Sequence, residues 1–314
     1  MRLAIRHDTS YRYSAPVSLA HHVAHLQPLQ DSHQRLLQHG VDIDPEGASV
    51  HRGQDAFGNA VQWFTLQAQH DALRVRASSL VEVRARHGVV DPTASAAWDD
   101  RVAALAYRAG APYLAQVEFA QPSPFVPRLA ALGDYARVSF PRGRPLVAAA
   151  LDLMQRLHTD FDYQPAATQV DTPLAESFAQ RRGVCQDFAH LLCGGLRMLG
   201  LPARYVSGYL LTRPPGGVAD LLGADASHAW VQVWVGEAVG VAADGWLDLD
   251  PTNAMIPGET HVRLAIGRDY GDVAPLRGVI LGGGRHALSV AVSTTLIAAG
   301  PELASESREE TLGP

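Results

Sequence analysis

Hydrophobic and polar positions along the chain change their period twice. Over residues 1–85 the period is two. Leu3, Ile5 and His7 alternate with Arg2, Ala4 and Arg6, and Tyr11 and Tyr13 bracket Arg12. Further on, Val61, Trp63 and Thr65 face one way and Gln62, Phe64 and Leu66 the other. Arg74-Val75-Arg76 and Val81-Glu82-Val83-Arg84 continue the alternation, which predicts strands. Phe57-Gly58-Asn59-Ala60 is a hairpin turn signal, and residues 44–55 read as a polar loop. The first segment is therefore expected to be a β module, a small sandwich or open sheet.

From 91 to 145 the pattern breaks up. Alanine-rich stretches at 94–106 and 129–136 alternate with Pro122, Pro124, Pro127, Pro141 and Pro145, which predicts short helices in a connector. Pro145 suits the first turn of a clearer helix over 145–158, with Leu146, Ala149, Ala150, Leu153 and Leu157 on one face. A helix from Pro173 to Gln180 stops at Arg181-Arg182-Gly183, and a second runs from Cys185 to Leu199, closed by Gly200 and Pro202. Strands are predicted over 203–212, 228–235 and 246–250, the second presenting His228, Trp230, Gln232 and Trp234 on one face. Residues 278–297 read as one hairpin turned at Gly282-Gly283-Gly284, and the tail from Pro301 as disordered. The fold class expected is α+β: a sandwich-like β domain (1–88), a helical connector (89–144), a papain-like catalytic domain with an antiparallel sheet (145–300) and a tail (301–314).

Composition adds exclusions. The 314 residues are 47% hydrophobic and 18% charged, enough to bury a core, and the net charge of −6 is spread along the chain. No basic patch with interleaved aromatics marks a nucleic-acid partner. The opening MRLAIRHDTSYRY carries charges and has no signal-peptide stretch, and 287–299 is too short and too rich in Ser and Thr to span a bilayer. A cytoplasmic protein without a membrane partner is expected. The oligomeric state is not legible.

Two cysteines remain, Cys185 and Cys193, eight residues apart in one predicted helix. Their Cα atoms would stand roughly 12 Å apart along that helix, beyond the about 4.4–6.8 Å of a disulfide. Cys193 sits among Leu191, Leu192 and Leu196 and reads as a core residue. Cys185 differs. It follows a glycine break and opens the helix, where unpaired N–H groups and the positive helix end favour a thiolate, the nucleophilic form. A thiolate needs a base, and His228 opens a strand with no other titratable group on its face. Asp250 ends the next strand, where a carboxylate can hold the imidazole tautomer; Asp248, two residues earlier on the same face, competes for that role on strand geometry alone.

The surrounding motifs extend the case. Gly183-Val184-Cys185-Gln186-Asp187-Phe188-Ala189-His190, Gly200-Leu201-Pro202-Ala203-Arg204-Tyr205-Val206-Ser207-Gly208-Tyr209, Asp225-Ala226-Ser227-His228-Ala229-Trp230 and Trp246-Leu247-Asp248-Leu249-Asp250-Pro251-Thr252-Asn253 resemble the transglutaminase-like superfamily. The particular likeness is to bacterial transglutaminase-like proteins described as candidate cysteine proteases. It extends to their N-terminal β domain through His7-Asp8-Thr9-Ser10-Tyr11-Arg12-Tyr13, Pro16-Val17 and Asp55-Ala56-Phe57-Gly58-Asn59, and to Gly267-Arg268-Asp269-Tyr270-Gly271-Asp272-Val273-Ala274-Pro275. The resemblance places the family's cysteine, histidine and aspartate on Cys185, His228 and Asp250, none of them substituted, and so selects Asp250 over Asp248.

Acyl transfer or hydrolysis on a protein or peptide amide is the activity this implies, through a thioester on Cys185 and with the peptidase or amidase side favoured. Hydrolysis and amine transfer share that thioester. The chemistry requires no cofactor. Animal transglutaminases use calcium, but no EF-hand-type acidic loop is present here. The Cys185 N–H is the default oxyanion donor, and Tyr163 lies where larger transglutaminases carry an aromatic second donor. Asp187 in the helix's first turn suits the dipole, and Gln186 beside it is either structural or a substrate contact. His21, His22 and His25 suggest a metal site, but on a strand the first two point to opposite faces, so no metal is expected. Because no candidate catalytic residue falls within 1–85, the β domain is expected to serve as a platform for substrate or partner. The competing reading is a protein-binding module that keeps the fold without activity.

Overall fold

In a computed structural model, residues 1–165, 167–211, 221–223 and 227–297 are described. The predicted strand end at 212, Asp225-Ala226 of the histidine motif, residues 298–300 and the tail expected to be disordered lie outside the described residues. Among the described residues no helix is long and apolar enough to cross a membrane.

Alternation at the amino end builds β1 (Arg2–Ala24), β2 (Gln34–Asp44), β3 (Ser49–Gln54), β4 (Ala60–Leu66) and β5 (His70–Val83). They hydrogen-bond in the order β2-β5-β1-β4-β3. The face carrying Leu3, Ile5 and His7 is buried, as the period requires. β3 corrects the expected loop at 44–55. All six of its residues are exposed, so no burial alternation marks it in the sequence.

The connector contains α1 (Trp98–Leu105), a 3₁₀ turn (Ala115–Ala120) and α2 (Ala130–Arg137). α3 (Leu146–Asp160) follows Pro145 and buries Leu146, Ala149, Ala150, Leu153 and Leu157. Next come β6 (Asp162–Tyr163), α4 (Leu174–Gln180), β7 (Arg182–Gly183) and α5 (Cys185–Met198). Four antiparallel strands complete the C-terminal core: β8 (Ala203–Leu210), β9 (His228–Trp234), β10 (Trp246–Leu249) and β11 (His261–Gly267), in the order β10-β9-β8-β11. α5 packs across this sheet through Phe188, Ala189, Leu192 and Leu196, joined by α3 and α2 in one hydrophobic core.

After a single turn, α6 (Tyr270–Val273), come β12 (Leu276–Gly282) and β13 (His286–Leu296). The expected hairpin at 278–297 is not formed. β12 pairs with Val17–Ala24 and β13 with Leu3–Tyr13, so both run antiparallel to β1 as one interrupted strand. The three glycines have φ of 95°, 84° and 61°. Their backbone bonds to β1, Ala15 N to Gly283 O at 3.2 Å and Gly283 N to Pro16 O at 3.1 Å, so they bulge the strand without reversing it. The seven-stranded sheet thus takes strands from both chain ends. A shared core of Leu3, Ile5, Val81, Val83 and Val292 against Tyr209, Leu211, Val262 and Leu264 joins it to the four-stranded sheet.

Candidate active site

Cys185 is the first residue of α5, and several contacts fix that start. Arg181 has a left-handed φ of 53°, which ends α4. Its guanidinium lies 4.6 Å from the Phe161 and Phe178 ring centroids and 4.9 Å from Tyr135, which holds the turn in place. The Asp187 carboxylate accepts the Val184 N–H at 2.8 Å, half of a capping box, and also the hydroxyls of Thr168 at 2.6 Å and Ser177 at 2.8 Å. Gly183 is required beneath it, since a Cβ there would stand 2.6 Å from the carboxylate. Asp187 therefore holds the cysteine-bearing turn. Gln186 donates to the Val170 carbonyl at 2.9 Å, tying down the neighbouring loop.

The half-buried Cys185 sulfur lies 3.9 Å from the carbonyl oxygen of Ser227, the residue before His228. His228 is buried at the start of β9, and its Nε2 donates to Asp250 Oδ2 at 2.9 Å. That bond assigns the proton to Nε2 and leaves Nδ1 as the basic nitrogen. Nδ1 is buried without a hydrogen-bond partner among the described residues. Burial works against the imidazolium, but the charge and hydrogen bond of Asp250, with smaller contributions from Cys185, push the histidine up to about 10.

Asp250 is fully buried just beyond β10. Its Oδ1 accepts the N–H groups of Thr252 at 3.0 Å and Asn253 at 3.2 Å, and its Oδ2 accepts the Asn253 side-chain amide at 2.8 Å besides His228. Burial favours the neutral acid, yet the His228 charge and hydrogen bond, followed by those of His261, hold the carboxyl well below the usual range. Asp248 has other partners. It accepts from Trp230 Nε1 at 2.9 Å and Gln232 Nε2 at 2.8 Å, and pairs with His87 at 2.9 Å and Arg86 at 3.3 Å. Strand order left the two aspartates tied; side-chain geometry puts only Asp250 on the histidine.

Tyr163 comes to the site through β6, which pairs in parallel with β7 and sets Tyr163 opposite Gly183, two residues before the cysteine. A methyl placed on Gly223 would stand 2.8 Å from His228 Nδ1 and 3.7 Å from the Tyr163 hydroxyl, so Gly223 lies against both the imidazole edge and the phenol. Sequence reasoning missed His261, whose Nε2 lies 3.2 Å from Asp250 Oδ2. The run His261-Val262-Arg263-Leu264 is buried on both faces, so no alternation marks the strand. His228, Asp250 and His261 also form a group of possible metal ligands, with ligand atoms within 4.8 Å of one another. Two imidazole N–H groups on one carboxylate oxygen account for that spacing.

The histidines of the first strand do not converge. His21 is exposed and bonds Thr65 at 2.8 Å, while buried His25 bonds the Ala274 carbonyl at 3.2 Å and Asp55 at 3.3 Å.

Fold and site together define a papain-like α+β protein, with a cysteine opening a helix that crosses an antiparallel sheet carrying a His-Asp pair. Residues 3–82 match the bacterial transglutaminase-like N-terminal region and residues 139–251 the transglutaminase-like superfamily core. An uncharacterised protein of Mycobacterium tuberculosis (strain ATCC 25618 / H37Rv) is 37% identical over 281 residues, 89% of this chain and 87% of the relative. One from Mycobacterium leprae is 34% identical over 300 residues, 95% and 99%. A candidate cysteine protease of Cytophaga hutchinsonii shares the fold with a TM-score of 0.69 at 18% identity, over 94% of this chain and 90% of that one. The chain belongs to the transglutaminase-like superfamily, in its bacterial branch with the N-terminal β region.

Proposed function

We propose that this protein is a thiol enzyme that forms a thioester between Cys185 and the acyl group of a protein or peptide amide. The observation that carries the reading is the orientation of His228, which gives Nε2–H to a buried ionised Asp250 and leaves Nδ1 off that carboxylate, with the Cys185 side chain acting on the ring. His228 Nδ1 holds the proton taken from the Cys185 thiol, and the sulfur attacks the carbonyl carbon as the thiolate of that ion pair. The Cys185 N–H and the Tyr163 hydroxyl stabilise the oxyanion. Collapse breaks the C–N bond, and the imidazolium proton passes to the departing nitrogen. Water or an amine then attacks the thioester and gives its proton to His228, and the sulfur leaves as thiolate, restoring the thiolate–imidazolium pair. Asp250 orients the ring and offsets the imidazolium charge throughout.

A glutamine carboxamide is the first substrate class to test. A protein-glutamine gamma-glutamyltransferase of Pseudomonas aeruginosa is 37% identical over 135 residues, covering 42% of this chain and 19% of that protein. Incubating the protein with glutamine-containing peptides, with and without a primary amine, should yield deamidated or amine-linked products by mass spectrometry. The two products separate hydrolysis from transfer, and both should vanish in Cys185→Ala. Product formation unchanged in that variant would refute the proposal.

A further inference from the structure

Asp250 Oδ2 accepts from two histidines, and only one of them faces the cysteine. The other, His261, is the first residue of β11 and is 3% exposed. Its Nδ1 lies 3.1 Å from the Thr260 hydroxyl, and its ring meets Trp230 edge-on at 5.3 Å. With the hydroxyl donating to Nδ1, the remaining proton sits on Nε2, pointed at the carboxylate.

β11 is an edge strand of the catalytic sheet, paired with β8 on one side only. Two buried side-chain amides of the N-terminal sheet occupy its outer edge. Gln34 accepts the Arg263 N–H at 2.8 Å and donates to the Arg263 carbonyl at 2.7 Å. Asn59 does the same at Ile266, at 2.8 Å and 2.7 Å. Each amide stands in for strand backbone, and at Arg263 the Leu29 N–H joins Gln34 on the carbonyl at 3.0 Å.

We propose that His261 is a positioning residue for the Asp250–His228 pair, and that the N-terminal sheet fixes it there by clasping β11 through Gln34 and Asn59. The proposal rests on the catalytic reading given above. A second N–H on Oδ2 holds that oxygen in place and draws off part of its charge, so the pull of Asp250 on His228 is tempered. Asp250 and His228 face His261 from the catalytic sheet. Behind it His33, Arg84, Arg86, Asp248 and Arg263 line a cavity of about 20 Å³.

Alkylation of Cys185 by iodoacetamide, followed against pH by peptide-mapped mass spectrometry on the full chain, tests this without a known substrate. His261→Phe removes the donor and keeps the ring. Asp250 should then hold the imidazolium more strongly, and the midpoint of the alkylation profile should move to lower pH by roughly half a unit. His261→Gln, which retains an N–H, should follow wild type. Gln34→Ala should shift the midpoint in the same direction as His261→Phe. Should the phenylalanine variant not fold, Thr260→Val supplies the test, because it frees the tautomer and should move the midpoint the same way. An unmoved or raised midpoint in a folded variant overturns the positioning role, and so does a glutamine variant that behaves like phenylalanine. A wild-type profile in Gln34→Ala overturns the clasp. His228→Ala separates the layers: if its profile matches wild type, the catalytic reading itself has failed.

Discussion

At the scale of single residues, the proposed chemistry rests on which aspartate meets the imidazole. Asp250→Asn keeps the shape but loses the acceptor that fixes the His228 tautomer, so turnover should fall by at least about 10²-fold with the fold intact. Asp248→Ala should do the reverse. It strands Trp230, Gln232 and His87 in the interior, at a cost of about 3–5 kcal/mol, and leaves the imidazole contact in place. Kinetics and urea denaturation of both variants check this, and the opposite pairing of effects would transfer the orienting role to Asp248. His228 carries a second prediction. Its folded pKa of about 10 lies above the unfolded value of about 6.5. Its contribution to stability is thus complete below about pH 6.5 and lost as pH rises from there through about 10. Urea titrations should show the wild type losing its advantage over His228→Gln across that window, whereas a constant difference would contradict the assignment. Cys185, His228 and Asp250 could be named as candidates because each sits in a contiguous motif. His261 could not, because its role depends on a carboxylate eleven residues away in sequence and on a strand without visible period.

Elements were legible where one face meets water. The alternation of β1 and the apolar face of α3 each announced their structure. β11 and β3 were hidden for opposite reasons, one buried on both faces and the other exposed throughout. The glycine triplet gave a turn signal for a hairpin, but β1 is long enough to pair on both sides of the bulge, and that pairing decides the path. The start of α5 is the element on which the proposed chemistry depends. Asp187→Ala removes three hydrogen bonds and leaves buried donors unpaired, which should cost roughly 3 kcal/mol. It should also slow Cys185 alkylation by loosening the turn. Stability and labelling rates equal to wild type would show that the cap is dispensable.

Across the whole molecule, the two family segments form one structure. Sequence placed every candidate catalytic residue after 162 and suggested that the β domain was a separate platform. The drawn boundaries cross a continuous sheet, since β12 and β13 find their partner in β1, and β11 shares its core with Leu3, Ile5, Val81 and Val83. A fragment beginning at Arg144 would expose that core and leave β12 and β13 unpaired, so it should not unfold cooperatively on heating. A cooperative transition with reactive Cys185 would restore the platform view. Long-range pairing of this kind leaves no local mark, because each strand's own pattern is satisfied by any apolar partner.

The central claim is that the Cys185 thiol, served by His228, carries the acyl group. Peptide-mapped mass spectrometry after quenching with a glutamine-peptide library tests it most directly. The thioester should appear on Cys185, be released by hydroxylamine and disappear in His228→Ala. Cys193 should stay unmodified, since burial pushes its thiol up to about 11. An adduct on Cys193, or one on Cys185 that survives loss of His228, would contradict the account.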